Sequence, residues 1–388
     1  MKRIAGANRP EQSLRLLAPG PSRRGFLASG AALAGGVLLG GCGDAAPGDP
    51  TEPPGAGAGT EKNLVLANWV DFSNPANIEA FGQHFGVRVV QEGYGSQEEL
   101  LARLSTAGGS AYDVVVPAGD GLRQMIDQGL AMRLNPELVP NLIHLRPAFR
   151  DNVFDPGNRY GAPKDYGMLG FFWRTAAVKE QPRTLRECFE LLPRLRAARV
   201  NVVESPGELV NLALASLDLS INTGDERELE RAKQVLLRAK PGIDTISSTY
   251  IERGERGEID FGLGYTGDVQ RIAAARAAVG DEVKFLVPEG RAEYFVDFWA
   301  IPSTAKNPVA AHRFVNFMLE PMNAGAEMDY IKFGSPVLGA HAFASRAVAA
   351  DPVVNIPDET LRRYEVATEP TPAAASIRAR IYAEFAAA

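Results

Sequence analysis

From residue 63 onward, short apolar runs alternate with stretches whose apolar positions fall three and four apart. Residues 63–68 (NLVLAN), 87–91 and 112–116 read as strands. Residues 75–85, 97–107 and 121–129 read as helices, the first with Ile78, Phe81 and Phe85 on one stripe. The second half repeats the pattern, with strands expected at 168–173, 200–203, 261–265, 283–287 and 298–301. Helices are expected there at 185–196, 206–217, 227–239, 268–279, 309–319, 324–332 and 373–385. Strands that are apolar throughout, separated by helices, predict an α/β fold of mainly parallel sheet flanked by helices. At roughly 150 residues per domain, 388 residues suggest two domains or one two-lobed unit. Ligands of such sheets bind beyond the carboxyl ends of the strands, which puts 69–72 and 117–120 forward first.

Charge and composition narrow the function classes. The chain is 45% hydrophobic and 23% charged, so it is globular, and its net charge of −6 argues against nucleic acid as a partner. Four scattered histidines and two cysteines supply neither a metal or haem site nor a disulfide framework, so no cofactor is expected. No G-x-S-x-G, H-E-x-x-H or P-loop occurs in the body, and an enzyme is not expected. The charge is unevenly spread: residues 1–41 carry +5, leaving −11 from Cys42 on. The charged helix 227–239 reads as a solvated face.

The basic start runs into Ser22-Arg23-Arg24-Gly25-Phe26-Leu27, then a Gly/Ala/Leu stretch, then Leu39-Gly40-Gly41-Cys42. A basic segment before a short apolar one reads as a signal peptide over 1–41. The arginine pair resembles a twin-arginine export signal, and Leu-Gly-Gly-Cys resembles the bacterial lipobox. That resemblance implies acylation of Cys42 and a lipid anchor as the chain's contact with membrane, in the periplasm or on the outer face of the cytoplasmic membrane. Residues 42–62, rich in Pro and Gly, then form the lipidated cysteine and a flexible linker. Cys188 reads as a buried small hydrophobe.

Five segments carry a wider resemblance: Asn68-Trp69-Val70-Asp71-Phe72, Tyr112-Asp113-Val114-Val115-Val116-Pro117, Glu204-Ser205-Pro206-Gly207-Glu208, Gly264-Tyr265-Thr266-Gly267-Asp268-Val269 and Phe295-Val296-Asp297-Phe298-Trp299-Ala300-Ile301-Pro302. In order and spacing the chain resembles the periplasmic putrescine- and spermidine-binding proteins of polyamine ABC importers over essentially all of 63–388. The resemblance implies a two-lobed periplasmic-binding-protein fold, type II-like, with the ligand cleft between lobes. Lobe 1 would hold 63–165 and 297–337, and lobe 2 would hold 166–296 and 338–388. Hinges would lie at 163–166 and just before Asp297. The partners it implies are a polyamine and an ABC permease, and a monomer is expected.

The chemistry of such a cleft can be stated independently. An alkyl polyamine has ammonium ends joined by methylenes; the ends need carboxylates when buried, and the methylenes need flat apolar walls. The matching segments supply Trp69, Phe72, Tyr265 and Phe295 as aromatics and Asp71, Glu208, Asp268 and Asp297 as carboxylates, with Asp120 as a further acid. By the family pattern Trp69 would stack on the aliphatic chain while Tyr265 and Phe295 wall it. Asp268 and Asp297 would take one ammonium; Glu208, with Asp71 nearby, would take the other. Trp69 also fits ordinary core, and Asp71, Asp120, Glu208 and Asp268 also fit helix caps or dipole partners. The chain departs from the family pattern at Ala118 after VVP, at Tyr265 for tryptophan, at Phe72 for tyrosine, and at Ser205 where triamine binders carry an acid. The same fold with another solute (a sugar, an amino-acid derivative or another amine) is the alternative function, and an exported hydrolase a weaker one.

Overall fold

The computed structural model describes residue 53 and residues 61–106, 111–195 and 197–388. The signal segment and Cys42 lie outside these residues.

Two five-stranded sheets organise the body. The strands are β1 (Asn63–Trp69), β2 (Arg88–Tyr94), β3 (Val114–Val115), β4 (Gly161–Gly167), β5 (Leu169–Arg174), β6 (Val200–Val202), β7 (Thr245–Ile246), β8 (Phe261–Tyr265), β9 (Val283–Phe285) and β10 (Phe295–Ala300). The first sheet has the order β2-β1-β3-β10-β4 and the second β7-β6-β8-β5-β9. In the first, β2, β1 and β3 pair in parallel while β10 is antiparallel to both β3 and β4. In the second, β7, β6 and β8 pair in parallel while β5 is antiparallel to both β8 and β9. Each sheet thus has one reversed strand, fourth in the order. In the first sheet that strand comes from late in the chain; in the second it comes directly after β4. The chain passes from one sheet to the other at Met168, and β10 returns it at Phe295.

The helices among the described residues are α1 (Pro75–Phe85), α2 (Gln97–Leu104), α3 (Gly119–Asp127), α4 (Leu185–Leu191), α5 (Pro206–Ser216), α6 (Glu226–Ala239), α7 (Ile251–Glu255), α8 (Thr266–Ala277), α9 (Pro308–Met318), α10 (Pro321–Ile331), α11 (Arg346–Ala349), α12 (Asp358–Leu361) and α13 (Pro372–Ala387). Local chemistry sets their ends. Asn74 caps α1 by accepting from the Ala76 N–H, with Pro75 at the first helical position, and Gly86 closes it at φ 65°. Thr184 and Glu187 form a capping box on α4.

Apolar burial follows the predicted strands: Leu64, Leu66, Val114, Val115, Phe171, Leu263 and Phe298 are all fully buried. The exception is β4, whose seven residues GAPKDYG are all buried although two are charged. Nothing in its hydropathy marks it as a strand. Cys188 is free and buried, and burial pushes its thiol pKa up.

Candidate ligand-binding cleft

Asp297 lies on β10 opposite Asp165 on β4, next to a bulge between Asp297 and Phe298. Both carboxylates are deeply buried, at 5% and 1% exposure. Lys164 Nζ reaches Asp165 Oδ2 at 2.8 Å and Glu327 Oε1 on α10 at 3.5 Å. The same ammonium lies 4.0 Å from the Phe72 ring centroid and 5.2 Å from that of Trp299. Burial opposes its charge, but Asp165, Glu327 and Asp297 outweigh burial, so Lys164 stays an ammonium. Lys164 is thus committed to Asp165 and Glu327. Among the described residues Asp165 Oδ1 has no partner and no donor reaches the Asp297 carboxylate. Burial, then the charges of Asp165 and Asp120, hold the Asp297 pKa well above the carboxylate range against the pull of Lys164.

The second sheet contributes the end of β8 and the helix starts beside it. Tyr265 Oη donates to Glu208 Oε2 over 2.7 Å. Tyr250 Oη donates to Asp268 Oδ2 over 2.6 Å and accepts from the Tyr265 N–H over 2.9 Å. Rings connect the two sheets: Tyr265 to Phe295 at 6.0 Å, Phe295 to Phe333 at 5.7 Å, and Phe333 to Phe72 at 5.4 Å. Phe333 is wedged where only glycine fits. A Cβ at Gly267 would come 2.3 Å from its ring, and one at Gly167 would come 2.5 Å from it. Trp69 ends β1 half-buried, 4.8 Å from Tyr94, with its Nε1 buried and without a partner among the described residues. The Tyr94 hydroxyl donates to the Val116 carbonyl.

Asp120, Glu208 and Asp268 all fall in the first turns of helices, α3, α5 and α8. None is the capping residue; those positions are Ala118, Ser205 and Tyr265, without side-chain caps. Burial raises the pKa of all three, offset in part by hydrogen bonds: backbone N–H groups at Asp120, Ser205 and Tyr265 at Glu208, and Tyr250 at Asp268. The charge of Asp120 acts on Glu208, Glu293 and Asp297, so acids from both sheets share one electrostatic field. Glu293, half-buried, accepts from Asn211 Nδ2 over 2.9 Å, and burial followed by the Glu208 charge pushes its pKa up to about 8.

Asp120, Glu208, Tyr265, Phe295 and Asp297 therefore share one environment, with Phe72 and Trp69 flanking it and Asp268 joined through Tyr250. Asp71 stands apart: it is exposed, in a left-handed turn at φ 55° between β1 and α1. Sequence reasoning missed Lys164, Asp165, Glu293 and Phe333. Two open cavities of about 430 and 460 Å³ lie along Trp173–Phe285 and Phe189–Val235, and neither contains a residue of this set. Asp165 Oδ1, buried and without a partner among the described residues, marks the candidate cleft.

This fold and site define a solute-binding protein, and the comparisons give the same class. Residues 76–355 match the bacterial extracellular solute-binding protein family, and the chain belongs to it. It is 30% identical to a putrescine-binding periplasmic protein of Pseudomonas aeruginosa, over 79% of this chain and 87% of that one. It is 31% identical to a putrescine/cadaverine-binding protein of the same species, over 74% of this chain and 83% of the relative. Its fold superposes with a TM-score of 0.78 on the spermidine/putrescine ABC transporter substrate-binding protein of Streptococcus pneumoniae, at 23% identity, covering 84% of this chain and 99% of that chain. The fold is accordingly the two-lobed one, and the family is one of binding proteins. No helix among the described residues is long and apolar enough to cross a membrane.

Proposed function

We propose that this protein is the substrate-binding component of an ABC importer and captures a polyamine of the putrescine or spermidine type between its lobes. The observation that carries the reading is Asp297: a carboxylate 5% exposed, unpaired, beside an aromatic series and a neighbouring acid with a free Oδ1. A buried carboxylate without donors is costly, and an ammonium supplies both the charge and the N–H groups. Asp120 and Glu208 answer the rest of the cation, Tyr265 and Phe295 wall its methylenes, and Trp69 with Phe72 closes the flank. Asp268 acts through Tyr250, and Asp71 is a rim residue. The relatives named for putrescine support the same ligand class. A ligand carboxylate, as in an amino acid, would meet this acidic lining with its one buried lysine already engaged by two acids.

The lobes in this reading are 63–165 with 297–337 and 166–296 with 338–388, closing about the two chain crossings and stabilised by ligand contacts on both sides. The signal over 1–41 exports the chain, Cys42 anchors it by lipid, and the monomer hands its load to the permease. Titrating the purified protein with putrescine, spermidine and an uncharged sugar while following thermal unfolding tests the ligand. At 100 times the dissociation constant a true ligand stabilises by about 2.7 kcal/mol. Stabilisation by the sugar and by no amine overturns the polyamine assignment. Mass spectrometry of the protein from membranes, with or without acyl mass on Cys42, tests the anchor.

A further inference from the structure

Glu293 lies two residues before Phe295 and four before Asp297, and extended backbone turns alternate residues to one face. Its carboxylate is gripped from one side. Asn211 Nδ2 on α5 donates to Oε2, and Arg378 Nη1 on α13 donates to Asn211 Oδ1 over 2.5 Å, which fixes the amide. The Arg378 Nη2 is taken by the carbonyls of Ile221 and Thr223. Arg378 thus orients the relay while making no ion pair with Glu293, whose Oε1 has no protein donor among the described residues. The groups facing Glu293 are Glu208 on α5, Asp120 on α3, Tyr265 on β8 and the recessed Arg378 on α13, so anionic charge outweighs cationic. The buried, unpartnered Oδ1 of Asp165 and the donor-free Asp297 independently show a cleft built to receive N–H groups.

Resting on the polyamine reading above, we infer that Glu293 is a further recognition carboxylate, seating with Glu208 an ammonium of its own, so that the cleft prefers a cation with three amines over one with two. Among the described residues Asp297, Asp120 and the Glu208–Glu293 pair have no protein ion pair. A diamine that reaches two of these three points leaves the third uncompensated, whereas a triamine answers all three. Asn211 and Arg378 are positioning residues. Glu293 is partly protonated near neutral pH, and the incoming ammonium expels that proton.

The test is calorimetric titration of the full chain and of Glu293→Gln with spermidine and putrescine at pH 7, in two buffers of different ionisation enthalpy. Glutamine keeps an acceptor for Asn211. The wild type is expected to bind the triamine about tenfold or more tighter than the diamine, with proton release. Glu293→Gln is expected to lose about tenfold for the triamine, less than about threefold for the diamine, and part of the proton release. Unchanged triamine affinity and proton release in the variant, with amines still bound, overturns the role of Glu293 and leaves the polyamine reading intact. A wild type that binds neither amine overturns both. Should Glu293→Gln fail to fold, Glu293→Asp withdraws the charge by one methylene and is expected to weaken triamine binding selectively; equal loss for both amines overturns the inference.

Discussion

Asp297 and Asp165 face each other across the antiparallel pair of β10 and β4, yet Lys164 sits 2.8 Å from Asp165 and makes no ion pair with Asp297. Directly opposed like charges repel, and burial amplifies the repulsion. The internal ammonium answers one member of the pair and not the other. In the proposed reading a bound cation answers Asp297 and removes the cost of burying it alone, which would make it selective for positive charge.

Asp297→Asn follows from that asymmetry. The amide is close to isosteric and neutral, so the fold keeps its shape and sheds a buried ionisable group whose charged form burial disfavours. Amine binding is expected to weaken by about 2–4 kcal/mol, roughly 30- to 1000-fold, while the thermal midpoint stays level or rises. Calorimetry on the variant checks both; affinity within about threefold of wild type would remove Asp297 from the site.

Lys164→Met has the opposite signature. It strands Asp165 and Glu327 as buried acids without their cation, and it withdraws the charge from the faces of Phe72 and Trp299. A loss of about 3–5 kcal/mol in unfolding free energy is expected from urea titration. A loss under about 1 kcal/mol would mean the pair is solvated or dispensable.

The alternation of elements was readable because most strands are continuously apolar: α1 and β8 occur over the residues expected of them. β4 was hidden because it buries the charged pair Lys164 and Asp165, and the second anion on Lys164, Glu327, lies more than 160 positions away. Phe333 was likewise invisible, since its partners Phe72, Phe295 and Gly267 meet only in three dimensions. Glu293 did leave a signal, its even spacing from Phe295 and Asp297, and that signal was missed. The acids predicted on strand-end loops were found near one another, except Asp71, whose positive φ turns it into an exposed bend.

Acid stability in the ligand-free protein follows from the same carboxylates. Glu293 rises from an ordinary 4.5 to about 8 on folding, so between those values the folded state holds a proton that the unfolded chain has released. Its contribution to stability is complete below pH 4.5 and is lost as pH rises through about 8. Asp297 and Glu208 shift in the same direction. Thermal midpoints measured from pH 5 to 8 should fall with pH, and Glu293→Gln should flatten that fall. Identical slopes in the two proteins would contradict the assignment of the proton to Glu293.

Trp69 gives the binding event an optical signal. The chain has three tryptophans, and Trp173 and Trp299 are buried at 3% and 2% exposure. Trp69 is half-buried at the end of β1, and its indole N–H, like that of Trp173, finds no acceptor among the described residues. A cation settling against its face, or lobes closing over it, changes the polarity around that ring and shifts its emission. Trp69→Phe is expected to abolish the amine-induced fluorescence change. The smaller ring should also cost about 0.5–1 kcal/mol in affinity, since cation attraction is strongest on indole. A full signal surviving in Trp69→Phe would move the reporter, and with it the ligand, towards Trp299 and the Lys164 ammonium beside it.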